Sequence, residues 1–412
     1  MVKVREDYSI SGDGEVDIDR CVQHIAEQTH LEDPDQLRRA CEKAAQIAVQ
    51  AFREDRLWAP GASSFRTGLE MAQVLAELHL DQASLVAAVL YRAVREERVP
   101  LEEVRKEFGD EVAGLINGVQ QMAAISSIHH PLKGNVLGQS EGQLDNVRKM
   151  LVTMIDDVRV ALIKLAERTC AIRAVKDAPE EKRMRVAREV FDIYAPLAHR
   201  LGIGHIKWEL EDLSFRYLHG SAYKKIAKLL DEKRLDRESY IRRVIDTLQT
   251  ELKASGIKAE LSGRAKHIYS IWRKMRRKGI DFSQVYDVRA VRILVPEVRD
   301  CYGALGIVHT LWRHIPNEFD DYIANPKENG YQSLHTAVIG PEGKVMEVQI
   351  RTHAMHEEAE LGVCAHWLYK GTDTRNKSTG YDAKINWLRQ VLEWQEELGD
   401  ISGLADHLKT DV

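Results

Sequence analysis

Residues 320–370 read DDYIANPKENGYQSLHTAVIGPEGKVMEVQIRTHAMHEEAELGVCAHWLYK, and the order of residue types here decides the fold of the second half of the chain. A polar opening broken by Pro326 and Gly330 predicts a loop. Two strand-like runs follow, Leu334–Ile339 and Val345–Ile350, joined by Gly340, Pro341, Glu342 and Gly343. A helix rich in His and Glu closes the stretch. The second run alternates cleanly. Val345, Glu347, Gln349 and Arg351 share one side, and Met346, Val348 and Ile350 share the other. Successive side chains of a strand point to opposite faces, so the apolar side packs on a core and the polar side is offered elsewhere. An acid, an amide and a guanidinium on one face suit a nucleotide and metal site. A half-exposed surface strand has the same pattern, so the pattern alone leaves both readings open.

Working outward, further strand-like runs lie at Lys258–Leu261 and Asp287–Val295. They alternate with helical patterns at 267–278, 299–313 and 353–370. This is an α/β or α+β domain with a mixed sheet. Towards the N-terminus the period changes to that of helices. Apolar stripes run through Leu37, Ala40, Cys41, Ala44, Ala45, Ile47 and Ala48, through Met71, Val74, Leu75, Leu78 and Leu80, and through Val112, Leu115, Ile116 and Val119, while Leu85–Tyr91 reads as a buried helix. Pro131 and three glycines within 125–143 predict a long loop. Helix resumes at Asp145. A helical bridge starts near residue 180, with breaks at Pro196, Gly202, Gly204 and Gly220. A last helix covers about 383–398. The expected domains are 1–199, all-helical with the start of the bridge; 200–380, the mixed-sheet domain; and 381–412, a C-terminal helix and tail.

A chain of 412 residues is long enough for two or three domains with proper cores. Hydrophobic content of 44% with 30% charged residues predicts a soluble globular protein. A net charge of −5 argues against a protein that coats nucleic acid. The five cysteines are scattered without a CxxC pair, which predicts reduced thiols and a cytoplasmic location. No apolar run is long enough to span a bilayer, and the N-terminus lacks the apolar core of a signal peptide, so no membrane partner is expected.

The second informative stretch runs from Gly263 to Gly279, with seven basic residues and no acid. On a helix, Lys266, Ser270 and Lys274 recur every fourth residue and line up, while Ile268, Ile271, Trp272 and Met275 form an apolar face expected to pack on the sheet. A column of ammonium and hydroxyl groups suits a polyphosphate. A solvated basic face is the competing reading. The next strand opens with Asp287, and Asp287 with Glu347 would make two carboxylates able to share a Mg²⁺ ion. In an ideal strand Asp287 and Arg292 would face opposite sides, so one site for both needs a twist, bulge or strand end between them.

Four blocks, GRAKHIYSIWRKM (263–275), YDVRAVRI (286–293), EFDDYIANPKENGYQSLHT (318–336) and MEVQIRTHAMHEEAELGVCAHW (346–367), together resemble the long alarmone synthetases of the RelA/SpoT family, most of all its RelA branch. The resemblance runs from about residue 60 to 398. It implies a multidomain chain: an all-α HD-type domain, then a nucleotidyltransferase-like synthetase domain. It implies transfer of pyrophosphate from ATP to the ribose 3′-OH of GTP or GDP, with release of AMP and Mg²⁺ as cofactor. On the matching positions Asp287 is the principal metal ligand, and Glu347 is base and metal contact. Lys266, Ser270 and Lys274 meet the ATP phosphates, and Arg264 and Arg292 sandwich adenine. Tyr331 stacks on guanine, and Lys327, Asn329, Gln349 and His356 surround the acceptor nucleotide. His335, Arg351 and His366 lie in the same blocks. Ala265 and Leu368 depart from the commoner Pro and Lys without touching this chemistry. The acidic Glu318-Phe319-Asp320-Asp321 is similar to synthesis-only members, which tend to prefer GTP.

In dual-function relatives the helical half is a hydrolase that holds Mn²⁺ through His, a His-Asp pair and a later Asp. The matching positions here are Thr67, Tyr91-Arg92 and Glu167, with Arg95-Glu96 where relatives have an acidic pair. Tyr and Arg cannot replace imidazole and carboxylate on a hard cation, so a pseudo-hydrolase is expected. Full-length relatives add regulatory domains that read the ribosome and uncharged tRNA, so the chain is expected to be a catalytic portion, ribosome-associated when full length. The rival readings are a (p)ppGpp hydrolase and a non-catalytic nucleotide-binding regulator.

Overall fold

Helix and strand segregate along the chain at Gly256. The computed structural model describes residues 16–29, 31, 34–53, 64–127, 157–232, 234–264, 266–282, 285, 288–327 and 329–364. Two compact units divide between Lys182 and Arg183, which puts the helices after that point with the second unit. Within the second expected loop, helix continues to Ser127 and the rest of 125–143 lies outside the described residues, as do Met150–Ile155 and the helix expected over 383–398.

The described part of the first unit consists of α1 (Ile18–Thr29), α2 (Pro34–Arg53), α3 (Ser64–Glu77), α4 (Gln82–Arg95), α5 (Leu101–Phe108), α6 (Asp110–Ser127) and α7 (Val158–Ala174). The predicted apolar stripes are buried, except that Ala45, Ile47 and Ala48 towards the end of α2 are half-buried. Helix α4 is buried all round from Ser84 to Val94, with α2, α3, α6 and α7 packed about it. A helix with no polar stripe can only sit in such a place. Asp81 starts it by accepting from the Ser84 backbone N–H at 2.8 Å. Helices α3 and α4 approach closely at Gly68, where a Cβ would meet the Val89 carbonyl oxygen at 2.5 Å.

The second unit opens with α8 (Glu180–Glu189), one π-turn (Val190–Tyr194), α9 (Ala195–Arg200), α10 (Gly204–Leu218), α11 (Gly220–Glu232) and α12 (Arg234–Ala254). Then come β1 (Glu260–Arg264), α13 (Ile268–Lys278), β2 (Ala290–Val295), α14 (Val298–Leu311), β3 (Arg313–Asp321), β4 (Leu334–Ile339), β5 (Val345–Thr352) and α15 (His353–Leu361). The strands form a five-stranded mixed sheet in the order β1-β2-β5-β4-β3, parallel only between β2 and β5. The alternation read in β5 is real. Met346, Val348 and Ile350 join Val291, Ile293, Val295, Leu334 and Val338 in a core covered by Tyr240, Val244, Leu248 and Leu252 of α12 and by Cys301, Ala304 and Val308 of α14.

Three local expectations are corrected. Helix α14 stops at Leu311, and the chain turns into β3, an edge strand that the sequence pattern hid. Pro316 lies within it, as an edge strand tolerates, and the register shifts between His314 and Phe319. Asn317 takes a positive φ of 65° inside that irregularity. The apolar face of α13 packs on other helices rather than on the sheet: Ile268 and Ile271 are buried with Phe215 and Ile226, and Trp272 and Met275 lie against them. Finally, β1 extends to Arg264 and α13 starts at Ile268, so Lys266 precedes the helix that carries Ser270 and Lys274.

Candidate active site

The sheet face opposite the core carries the polar residues of β5, and pairing fixes their neighbours. Arg264, Ala290, Glu347 and Ala337 lie in one row across β1, β2, β5 and β4. Ser262, Arg292, Gln349, His335 and Asp320 form the next row. Side chains opposite one another across strands share a face and interact. The small Ala290 leaves space in the first row, and Arg264 reaches past it to Glu347, Nη1 to Oε2 3.7 Å.

Glu347 is the centre of this face. Its Oε1 accepts from Gln349 Nε2 at 2.9 Å and lies 3.5 Å from His335 Nδ1. Burial pushes its carboxyl up, but Arg264, His335 and Lys266 outweigh burial and hold it down at about 2. Glu347 is therefore an anion at any working pH. Burial, with Arg264, Lys327 and Arg351 close by, pulls His335 down to about 4 against the pull of Glu347. A neutral His335 can receive the Tyr331 hydroxyl on Nε2, 2.9 Å away, and carry its own proton on Nδ1 toward Glu347.

Tyr331 is held by a tight loop. Its backbone N–H donates to Asn329 Oδ1 at 3.2 Å, and Gly330, at a φ of +76°, turns the chain so that Lys327 N donates to Tyr331 O. Tyr322 meets the Tyr331 and His335 rings edge to face, and Lys327 Nζ sits 4.6 Å from the Tyr322 ring centre. Arg351 lies against the other flank, its guanidinium 5.8 Å from the Tyr331 centroid.

Arg351 is 1% exposed and donates from Nη2 to His356 Nδ1 at 2.6 Å. Arginine has only donors, so His356 must accept on Nδ1 and hold its proton on Nε2. Burial and the adjacent Arg351 and Arg292 pull His356 down to about 4, in keeping with a neutral ring. Burial, with Arg351 beside it, lowers Arg292 to about 10.

Helix α10 ties two sides of this site together. Near its start, His205 Nδ1 lies 3.1 Å from the Glu360 carbonyl oxygen of α15, and a Cβ at Gly204 would meet the Ala359 carbonyl oxygen at 2.9 Å. One turn on, Trp208 stacks on His267 with centroids 5.1 Å apart. Beyond it, Asp212 caps α13, accepting from the backbone N–H groups of Ile268 at 3.3 Å and Tyr269 at 2.8 Å. Asp212 thus replaces the side-chain cap that His267 does not provide.

The structure thus brings Arg264, Arg292, Glu347, Gln349, Arg351, His335, Tyr331 and His356 into one neighbourhood and sets Lys266 close enough to Glu347 to depress it. Lys327 and Asn329 belong to the Tyr331 loop. Ser270 and Lys274 share a face of α13. Asp287 and His366 lie outside the described residues. Sequence reasoning missed Asp212, Tyr322 and Glu360. Glu360 stands one helical turn after His356, a spacing that could have found it.

In the acidic stretch only Asp320 lies in a row of this face. Glu318 pairs with Lys278 Nζ at 2.9 Å, and Asp321 accepts from the Tyr302 hydroxyl at 3.0 Å and from the backbone of Ile323 and Ala324.

The first unit has its own buried carboxylate. Glu167 receives Lys164 Nζ at 2.9 Å, Arg95 Nη1 at 3.0 Å and Arg168 Nε at 2.7 Å. Burial pushes its carboxyl up, but Arg168, Lys164 and Arg95 hold it well below the usual range. Arg92 pairs with Glu96 at 2.7 Å, and the Tyr91 hydroxyl is buried without a hydrogen-bond partner. All five cysteines are buried, and none forms a disulfide among the described residues. Among the described residues no helix is long and apolar enough to cross a membrane.

A carboxylate ringed by guanidinium, ammonium and imidazole groups, with aromatic rings at one side, is chemically suited to a nucleotide and its phosphates. Residues 44–204 match an HD domain, and residues 263–374 match the region found in RelA/SpoT proteins. The chain is 52% identical over 346 residues to a GTP pyrophosphokinase of Photobacterium angustum, covering 84% of this chain and 46% of that one. It is 49% identical over 376 residues to the GTP pyrophosphokinase of Escherichia coli K12, covering 91% and 50%. The chain spans about half the length of these curated relatives. A crystal structure of small alarmone synthetase 1 from Bacillus subtilis bound to its product pppGpp aligns with 43% of this chain and 99% of its own, at 26% identity and a TM-score of 0.28. Along the chain, a match to an HD domain is thus followed by a match to the region found in RelA/SpoT proteins.

Proposed function

We propose that the second unit transfers pyrophosphate from ATP to the ribose 3′-OH of GTP or GDP, forming (p)ppGpp and AMP, as a member of the RelA branch. The observation that carries this reading is Glu347, an anion on an open sheet face, flanked by Arg264, Lys266 and His335 and linked through His335 to Tyr331. Arg264 and Arg292 take the adenine, and Lys266, Ser270 and Lys274 take the donor phosphates. Tyr331 stacks on guanine, with Lys327, Asn329, Gln349 and His356 about the acceptor. Glu347 accepts a hydrogen bond from the 3′-OH. A carboxyl near 2 is a weak base, so the proton moves late, once the oxygen is bonding to phosphorus and has become acidic.

The donor set fits Mg²⁺. One hard carboxylate, Glu347, with Asp287 as the second, leaves the remaining positions to water and phosphate oxygens. When bound, the ion neutralises charge on the transferring phosphates.

The first unit we read as a pseudo-hydrolase, because Glu167 already spends its oxygens on Lys164, Arg168 and Arg95. A longer protein built like the curated relatives would add the ribosome and uncharged tRNA as partners. Incubation with ATP, GTP and Mg²⁺ tests the reading: AMP and a 3′-pyrophosphorylated guanine nucleotide should form. If neither forms at high protein concentration, the synthetase reading is lost. Release of pyrophosphate from ppGpp with Mn²⁺ would overturn the pseudo-hydrolase.

A further inference from the structure

Glu360 occupies a position with no role in the reading above. One of its oxygens, Oε1, lies 3.4 Å from Arg351 Nη2, 3.7 Å from His356 Nδ1 and 4.0 Å from Arg292 Nη1. These three basic groups come from β5, α15 and β2. Two further atoms matter. Arg292 Nε and Arg351 Nε are both buried, and neither has a hydrogen-bond partner among the described residues. A buried guanidinium N–H without an acceptor is costly, so each awaits one. Two arginines whose buried Nε–H groups have no acceptor among the described residues therefore share one carboxylate oxygen.

We propose that Glu360 is a positioning residue that makes the two nucleotide subsites interdependent. The inference rests on Arg292 serving the ATP side and His356 the acceptor side. A donor nucleotide that engages Arg292 draws it away from Glu360. The carboxylate is then left to Arg351, which becomes fixed and, through its Nη2–H to His356 Nδ1, holds the His356 Nε2–H toward the acceptor. In the other direction, an acceptor that fixes His356 and Arg351 holds Glu360 and leaves Arg292 unclaimed for the donor. Ordering by one ligand lowers the ordering cost of the other, and the coupling must be reciprocal.

Binding without turnover tests this. Calorimetry with α,β-methylene-ATP and Mg²⁺ is run with and without saturating GDP, and the reverse titration is run as well. In the wild-type protein each nucleotide should tighten the other by about fivefold or more. In Glu360→Gln that factor should fall to within about twofold of unity, with each nucleotide still binding alone. Glu360→Asp keeps the charge on a shorter arm and should retain part of the coupling, and far-UV circular dichroism checks the fold of both. If Glu360→Gln fails to fold, Glu360→Asp decides: coupling equal to wild type overturns the proposal. Full coupling in Glu360→Gln, or none in the wild type, also overturns it. A wild-type protein that binds neither nucleotide removes the underlying reading of the site, and this proposal with it.

Discussion

Glu167 in the first unit and Glu347 in the second are both carboxylates held as anions by surrounding cations, yet they are built for different purposes. Glu167 is 1% exposed and takes direct bonds from Lys164, Arg168 and Arg95 at 2.7–3.0 Å. Glu347 takes one bond from a neutral amide, and its nearest guanidinium stands off at 3.7 Å. Both are electrostatically stabilised, but three cations bond Glu167 directly, whereas Arg264 stands off from Glu347. On the proposed reading, a low carboxyl pKa does not separate the reacting acid from the structural one, whereas the stand-off of Arg264 does.

The strongest test removes the charge of Glu347. Glu347→Gln should lower turnover by about 10²–10⁴-fold in an AMP-release assay, with little change in urea denaturation. Near-normal turnover would take Glu347 out of the chemistry and erase the contrast. The matching change in the first unit should do the reverse. Glu167→Gln leaves buried cations without their counter-charge and should destabilise the protein by about 3–5 kcal/mol in urea, because a broken buried pair strands its partners. Residual synthesis by the folded fraction should be unchanged. If stability is unaltered, the Glu167 cluster is not the structural device described.

A smaller effect comes from the histidines. His199, His335 and His356 are pulled to about 3, 4 and 4 from 6.5, by burial first and then by nearby cations. A histidine whose folded pKa lies below its unfolded value contributes stability that is complete above the unfolded value. That stability is lost as pH falls through 6.5 towards the folded values. Denaturation midpoints of the second unit should therefore drop between pH 7 and 5, before Glu347 begins to titrate. A flat profile across that window would contradict the neutral rings. The smallest effect concerns selectivity. Asp320→Asn should change the ratio of kcat/KM for GTP over GDP several-fold, while Glu318→Gln, paired away with Lys278, should not. Equal shifts would mean that the row holding Asp320 does not read the acceptor.

Much of this was legible in the chain. The alternation from Val345 to Arg351 gave both faces of β5 before any coordinates, because the period of a strand is a property of covalent geometry. The residues grouped around Tyr331 and Glu347 came from motif blocks and do converge. What stayed hidden depended on distant partners. β3 could not be read because Pro316 and the irregularity at Asn317 break its period. The apolar face of α13 was sent to the wrong neighbour, since nothing local says that Phe215 and Ile226 wait for Ile268 and Ile271. Asp212 was invisible because its cap acts 57 residues along the chain. Glu360 looked like one more acid in a polar helix until the fold set it beside Arg292.

Helix α10 carries a consequence for how such a protein can change over generations. Its start rests on the end of α15, and its Trp208 and Asp212 hold the start of α13. One residue inserted between Gly204 and Trp208 would rotate the second pair of anchors by about 100° relative to the first. Any lineage that alters the length of this helix must therefore rebuild the donor and acceptor sides together, so tolerated variation should be confined to substitutions on its outer face.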